Sequence, residues 1–174
     1  VQNNDKVGVI FFSDKIEKYI PPDKGKKHIL RIIRELIDFK PQNTGTDIAE
    51  ALRFFTNTVK KRSTAFLISD FFCSNFKKAL QISGFKHDII ALQIYDRREF
   101  ELPKVGLIKL KDTETGKEFW FDTSSAKNRR LFKEDRKKKL IELKEIFDKT
   151  GTDKQIIETG EDYIKPLLKL FKRR

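Results

Sequence analysis

Two apolar runs, "VGVIFF" (Val7 to Phe12) and "STAFLIS" (Ser63 to Ser69), set the tightest limit on how this chain can fold. A strand with one wet face alternates apolar and polar residues, whereas a continuous apolar run suits a strand covered on both faces. A third strand is expected at "DIIALQIY" (Asp88 to Tyr95). Between these runs the spacing turns helical. Ile29, Ile32, Ile33, Leu36 and Ile37 recur on one face until Pro41, and Ile48, Ala51, Leu52, Phe55 and Val59 do so in a second helix. A short helix is expected from about Asn75 to Phe85. Strands alternating with helices predict βαβ units, hence a three-layer α/β fold with a mostly parallel sheet flanked by helices.

The stretch "SDK" (Ser13 to Lys15) reads as a turn into a short strand, Ile16 to Ile20, ended by Pro21 and Pro22. After Tyr95 the pattern changes. "GLIKLKDTETGKEFWFD" (Gly106 to Asp122) alternates around a Gly-containing turn, the signature of a β-hairpin. A long helix from about Ala126 to Lys149 presents Leu131, Leu140, Leu143 and Phe147. "KQIIET" reads as a last strand, and Tyr163, Ile164, Leu167, Leu168 and Phe171 mark a last helix. No repeat or low-complexity linker interrupts the sequence, so residues 1–174 are expected to form one domain.

Composition narrows the function. No apolar stretch approaches the roughly 20 residues that a membrane span needs. Cys73 is the single cysteine, which excludes an internal disulfide and a Cys-based zinc site and fits a reducing cytosol. The chain has no methionine and opens almost directly in a strand, as an excised piece of a longer protein would. The net charge of +12 raises anionic partners. Residues 126–174 carry 16 basic and 9 acidic side chains, with the densest run in "KNRRLFKEDRKKKL". Glu134 and Asp135 break that run, so a solvated helix face competes with a nucleic-acid surface spanning Arg129 to Lys139.

Thr46 and Asp70 are the candidate site residues. In open α/β sheets, ligands sit beyond the carboxyl ends of the strands, where Asp70 follows "FLIS". Thr46 lies on a loop feeding a helix. A hydroxyl and a carboxylate suit a hard divalent cation such as Mg²⁺ or Mn²⁺. Helix capping explains both residues too. Thr44 and Asp47 form a T-x-x-D pattern, Thr46 can itself be an N-cap, and Asp70 can cap the helix that follows.

"NNDKVGVIFFS", "PP" at Pro21 and Pro22, "GTDIAEAL" and "FLISDF" resemble the von Willebrand factor A-like fold. With "YDRREFELPKVG", "DTETGKEFWFDT" and "YIKPLLKLFKRR", they are similar to segments of the bacterial family called domain of unknown function fifty-eight. The resemblance implies a Rossmann-type sheet with a β-hairpin insertion at about residues 103–122. It also implies a metal-ion-dependent adhesion site, in which Thr46 and Asp70 match two of three ligand segments. The third, Asp-x-Ser-x-Ser, follows the fold's first strand, upstream of "VGVIFF", and "SDK" does not replace it. The expectation is therefore a truncated domain lacking the first strand, with metal affinity confined to the full-length protein. That strand lies between the equivalents of "VGVIFF" and "STAFLIS", so the two are expected to close up and pair directly.

The remaining candidates are weaker. Cys73 with His28 or His87 lacks any supporting motif, so an inert buried thiol and two surface histidines are expected. "ELK" (Glu142 to Lys144) lies on a charged helix rather than beside a strand. Trp120, between Phe119 and Phe121, can serve base stacking, but alternation puts both phenylalanines on one face, so at least one side of the strand is expected against the core. There is no Walker loop and no G-x-G-x-x-G, so an enzyme is not supported. The expected function is a cytoplasmic protein-interaction module. The resemblance implies a MoxR-type AAA+ ATPase as partner, with any membrane association supplied by other proteins. The alternative is a basic nucleic-acid-binding domain.

Overall fold

The computed structural model describes residues 5–73, 75–111 and 117–174. Its parallel sheet is built as the apolar runs require. β3 (Thr64–Ser69), β4 (Asp88–Tyr95) and β7 (Asp153–Glu158) lie in the order β3-β4-β7, with Ala65 opposite Ile89 and Leu92 opposite Gln155. β4 is central and is buried along most of its length on both faces. Crossovers pass through α3 (Lys77–Lys86) and through α4 (Ala126–Thr150). On one face Leu67, Ile89 and Ala91 meet α2 (Ile48–Thr58), α3 and α4 through Leu52, Leu80, Leu143 and Phe147. On the other face Ile90 and Leu92 meet Leu167 and Leu170 of α5 (Ile164–Lys172). The result is a layer of helices, a sheet and a further helix. Pro166 is accommodated because it falls in the first turn of α5, where its missing N–H is not needed.

β1 (Val7–Phe12) departs from expectation. It pairs antiparallel with β2 (Ile16–Asp23) as a separate two-stranded ladder, and among the described residues it shares no ladder with β3. The expected direct closure of "VGVIFF" onto "STAFLIS" is therefore corrected. Side chains join the two sheets instead, because Phe12 packs into the cluster that also holds Ile48, Leu52 and Leu67. Neither run is buried on both faces. On β3 only Leu67 is fully buried, while Phe66 and Ile68 are 46% and 58% exposed. Composition recorded what these strands can bury, whereas actual burial depends on which neighbours are present.

β2 runs through Pro21 and Pro22 instead of stopping at them. Proline lacks only the N–H, and a two-stranded ladder leaves every strand an edge on which that loss is harmless. The ladder is also tight. A Cβ on Gly8 would lie 2.9 Å from both Ile20 O and Pro22 N, so only glycine fits at the irregularity between Val7 and Val9. α1 (Lys26–Asp38) lies beside this ladder, tied to it by His28 Nε2 on Val7 O at 2.8 Å and by the Lys18–Glu35 ion pair. Of its apolar stripe only Ile32 is buried; Ile33, Leu36 and Ile37 remain exposed.

The hairpin forms as expected, β5 (Leu107–Lys111) against β6 (Glu118–Asp122), and its Gly116 turn lies outside the described residues. Thr123, fully buried, fastens the hairpin's base through its hydroxyl to Gly106 O and through the Val105 N–H. In α4 the inward stripe is Phe132, Arg136, Leu140, Leu143 and Phe147, and the expected Leu131 is exposed. A helical face allows only one of the adjacent pair Leu131 and Phe132 to point inward, and Phe132 does so against Phe121, 5.9 Å between ring centroids.

Candidate functional site

The loop before α2 is fixed by its backbone. Asp47 is the N-cap, its carboxylate accepting the Glu50 N–H at 2.8 Å, while its own N–H donates to Ser13 O at 2.8 Å. The β1–β2 turn is thus hooked onto the entrance of α2, and Gly45 permits the approach, since a Cβ there would lie 3.2 Å from Asp14 Cβ. Thr46 precedes the cap and does not form it. Its half-buried hydroxyl makes no hydrogen bond with the described residues, so neither Thr44 nor Thr46 takes the capping role open to it in the sequence.

Asp70 caps no helix either. α3 starts at Lys77 with Phe76 as its N-cap. Asp70 instead closes a local turn, its Oδ1 accepting the Phe72 N–H at 3.1 Å and the Ser69 hydroxyl at 3.4 Å. The carboxylate is exposed at the carboxyl end of β3. The loop is held in a costly backbone shape, with φ of 61° at Phe71 and 68° at Asn75. Phe71 tolerates the left-handed region because its ring is locked in the core, 5.2 Å from Phe147 and 5.9 Å from Phe76 between centroids.

These two loops face one cleft of about 400 Å³. Thr46, Asp47 and Arg53 line one side, and Phe72, Cys73 and Asn75 the other. Asp70 stands at the start of the second loop and is not itself a lining residue. Among the described residues no three His, Cys, Asp or Glu side chains converge as a metal cage. Thr46 and Asp70 suit a hard divalent ion by chemistry, as two oxygen ligands, and do not complete its shell between them. Arg53 adds a positive charge to the cleft, partly offset by Glu50 at 2.9 Å and Asp47 at 3.8 Å.

Several side chains stand elsewhere than expected. Cys73 is half-buried and lines the cleft, so it is not an enclosed core thiol. His87, expected at the surface, is 2% exposed, its ring 4.4 Å from that of Phe55, and both ring nitrogens are buried without a hydrogen-bond partner among the described residues. Burial and the neighbouring Lys86 hold its pKa below the ordinary 6.5. Glu142 and Lys144 are exposed on α4, away from any strand context. Trp120 and Phe119 are exposed, while Phe121 packs on α4.

Arg136 is the residue that sequence reasoning missed. Its guanidinium lies over the rings of Phe72 at 4.8 Å and Phe132 at 5.0 Å, and so braces the Asp70 loop from α4. The buried stripe of α4 was the available signal, because Arg136 falls one turn from both Phe132 and Leu140 on it. Glu99 sits nearby. Burial raises its carboxyl pKa, Asp70 adds to the rise, and Arg136 opposes it. Other cations of the basic run are also engaged. Arg129 donates to the Thr123 and Ser124 carbonyls, Lys133 to Glu101, and Arg130 and Lys139 pair along the helix with Glu134 and Asp135.

A parallel three-stranded sheet flanked by helices, with two loops meeting at the carboxyl ends of its strands, defines a mixed α/β protein. The chain belongs to the family described as protein of unknown function DUF58, whose model matches residues 1–141. Uncharacterised proteins of Mycobacterium bovis and Mycobacterium tuberculosis are 27% identical to it over 123 residues, 68% of this chain and 39% of theirs. The chain thus spans well under half the length of those relatives. An uncharacterised protein of Mycobacterium avium is 27% identical over 137 residues, 77% of this chain and 79% of that one. Among solved structures, a conserved hypothetical protein BatB from Bacteroides thetaiotaomicron superposes with a TM-score of 0.56 at 15% identity, covering 98% of this chain and 79% of that one. An aerotolerance-related membrane protein from Bacteroides fragilis, carrying multiple mutations to serine, gives 0.56 at 16%, covering 98% and 81%. At such identities the likeness concerns the fold. Among the described residues no helix is long and apolar enough to cross a membrane.

Proposed function

We propose that this chain is the partner-binding part of a von Willebrand A-like interaction module that is metal-dependent in the full-length protein. Thr46 and Asp70 contribute two oxygen ligands to one Mg²⁺ or Mn²⁺, and the remaining positions fall to waters, other protein groups and a partner's carboxylate. The observation that carries this reading is the Thr46 hydroxyl, released from capping by Asp47 and placed on the same cleft as the loop that begins at Asp70. The strained backbone of that loop supports it, since such geometry concentrates at binding sites. The module carries no catalytic machinery in this reading, and its partner is a MoxR-type AAA+ ATPase in the cytoplasm. The rival reading, nucleic-acid binding through Arg129 to Lys139, draws less support because Arg129, Lys133 and Arg136 are spent on internal contacts.

The test uses the full-length protein with the ATPase. Binding should require Mg²⁺ or Mn²⁺, disappear with chelator, and be abolished by Asp70→Ala while the circular dichroism and melting curve are unchanged. Thr46→Ala should weaken it less, since a neutral hydroxyl contributes less than a carboxylate. Binding that ignores chelator, or duplex DNA binding that weakens steeply with salt, overturns the proposal.

A further inference from the structure

A second cavity, of about 320 Å³, opens at the carboxyl ends of β4 and β7. Its walls are largely apolar, made by the Tyr95 ring, Phe100, Leu140 and Ile156. Phe100 separates it from the first cleft by packing on Phe72, 6.3 Å between ring centroids. The polar groups that converge on it are mostly acceptors. Glu158 accepts a 2.7 Å hydrogen bond from the Tyr95 hydroxyl, which pushes the phenol's pKa up to about 12, and it forms no ion pair among the described residues. Gln93 is 1% exposed, and its Oε1 has no partner among the described residues. The one lining cation, Arg97, lies 3.9 Å from Glu101 with its side chain 76% exposed, so it stands at the rim.

We propose that this cavity binds a small organic cation, an ammonium group on an apolar stem, with the stem against Phe100, Leu140 and Ile156 and the head at Glu158. The carboxylate lacks a cation, the walls lack polar partners for anything but the head, and the strand ends are where open parallel sheets take ligands. An anionic ligand of the same shape is disfavoured by Glu158, whereas Glu101 is already paired with Lys133 and Arg97. The same chemistry is offered by a free amine and by a partner's lysine side chain. The site stands independently of the metal reading, because none of its groups is Thr46 or Asp70. A bound head reaching Gln93 also bears on the first loop, since Gln93 Nε2 donates to Asp70 O at 3.4 Å.

The experiment titrates the chain, followed by amide NMR, with phenethylamine, with phenylpropionate and with a blocked lysine peptide. Phenethylamine should shift Tyr95, Ile156 and the Gln93 side-chain amide saturably. Phenylpropionate, the same body with an anionic head, should bind at least about tenfold more weakly, as loss of one charge-assisted contact implies. Glu158→Gln should lower amine affinity about tenfold and erase the preference between heads, and Leu140→Trp should fill the cavity and abolish binding. The Glu158 variant keeps the test decisive should the tryptophan disturb folding. Tighter binding of the lysine peptide assigns the site to a partner's side chain, and tighter phenethylamine binding assigns it to a free amine. No saturable binding of either cation, equal affinity for both heads, or amine binding unaffected by Glu158→Gln overturns the inference.

Discussion

His87 and Arg136 show how position, not residue type, sets a side chain's role. Burial, with Lys86, lowers the pKa of His87 in the folded chain, whereas in the unfolded chain it protonates near 6.5. Its share of stability is therefore fully present above about pH 6.5 and declines as pH falls below that value, where the unfolded state binds the extra proton. Urea unfolding of the wild type and His87→Leu at about pH 7.5 and 5.5 should show a smaller acid-induced loss in the variant; equal losses would place the titrating group elsewhere. Arg136 makes the complementary case. Arg136→Ala should cost about 1–2 kcal/mol, because it strips the face of Phe72 and removes the positive charge that opposes Glu99. Lys137→Glu with Lys138→Glu should stay within about 0.5 kcal/mol, since both are exposed. Chemical denaturation separates the two outcomes. Sequence made the composition of this helix legible but not its rotation. A one-residue choice between Leu131 and Phe132 decides whether Arg136 faces water or the Asp70 loop.

Among the elements, those defined by local pattern were read well, and those whose burial depends on neighbours were not. The hairpin, α4, β7 and α5 fall close to where periodicity and turn residues place them. β1, β3 and β4 have similar apolar composition, yet among the described residues only β4 has a strand on each side. The cap of α2 was legible as a polar cluster, but choosing Asp47 over Thr46 needed backbone geometry. β3 offers a direct check of the exposed face. Ile68→Lys should change stability by less than about 0.5 kcal/mol, because that side chain is 58% exposed. Leu67→Ala, on the covered face of the same strand, should cost about 2–5 kcal/mol. A loss of that size at Ile68 would mean that its face is covered after all.

At the scale of the whole molecule, the parallel βαβ logic was legible, and the division into separate ladders was not. Hydrogen-bonded strand order depends on which edges meet, and side-chain packing can hold two sheets together without that meeting. The consequence is uneven local stability. Amides of β4 should exchange slowest, while β1 and β2, held to the rest by Phe12 and the hook from Asp47 to Ser13, should exchange by an earlier partial opening. Hydrogen exchange with fragment resolution would show this, and uniform protection of both ladders would refute it. The same division sets how the chain answers a mechanical load. Tension applied across the outer ends of β1 and β2, Val7 opposite Asp23, meets the antiparallel rungs one at a time, as a zip does. Tension carried along β3 and β4, whose ladders are parallel, must break its rungs together in shear. Under such a load the first ladder is therefore the part that yields.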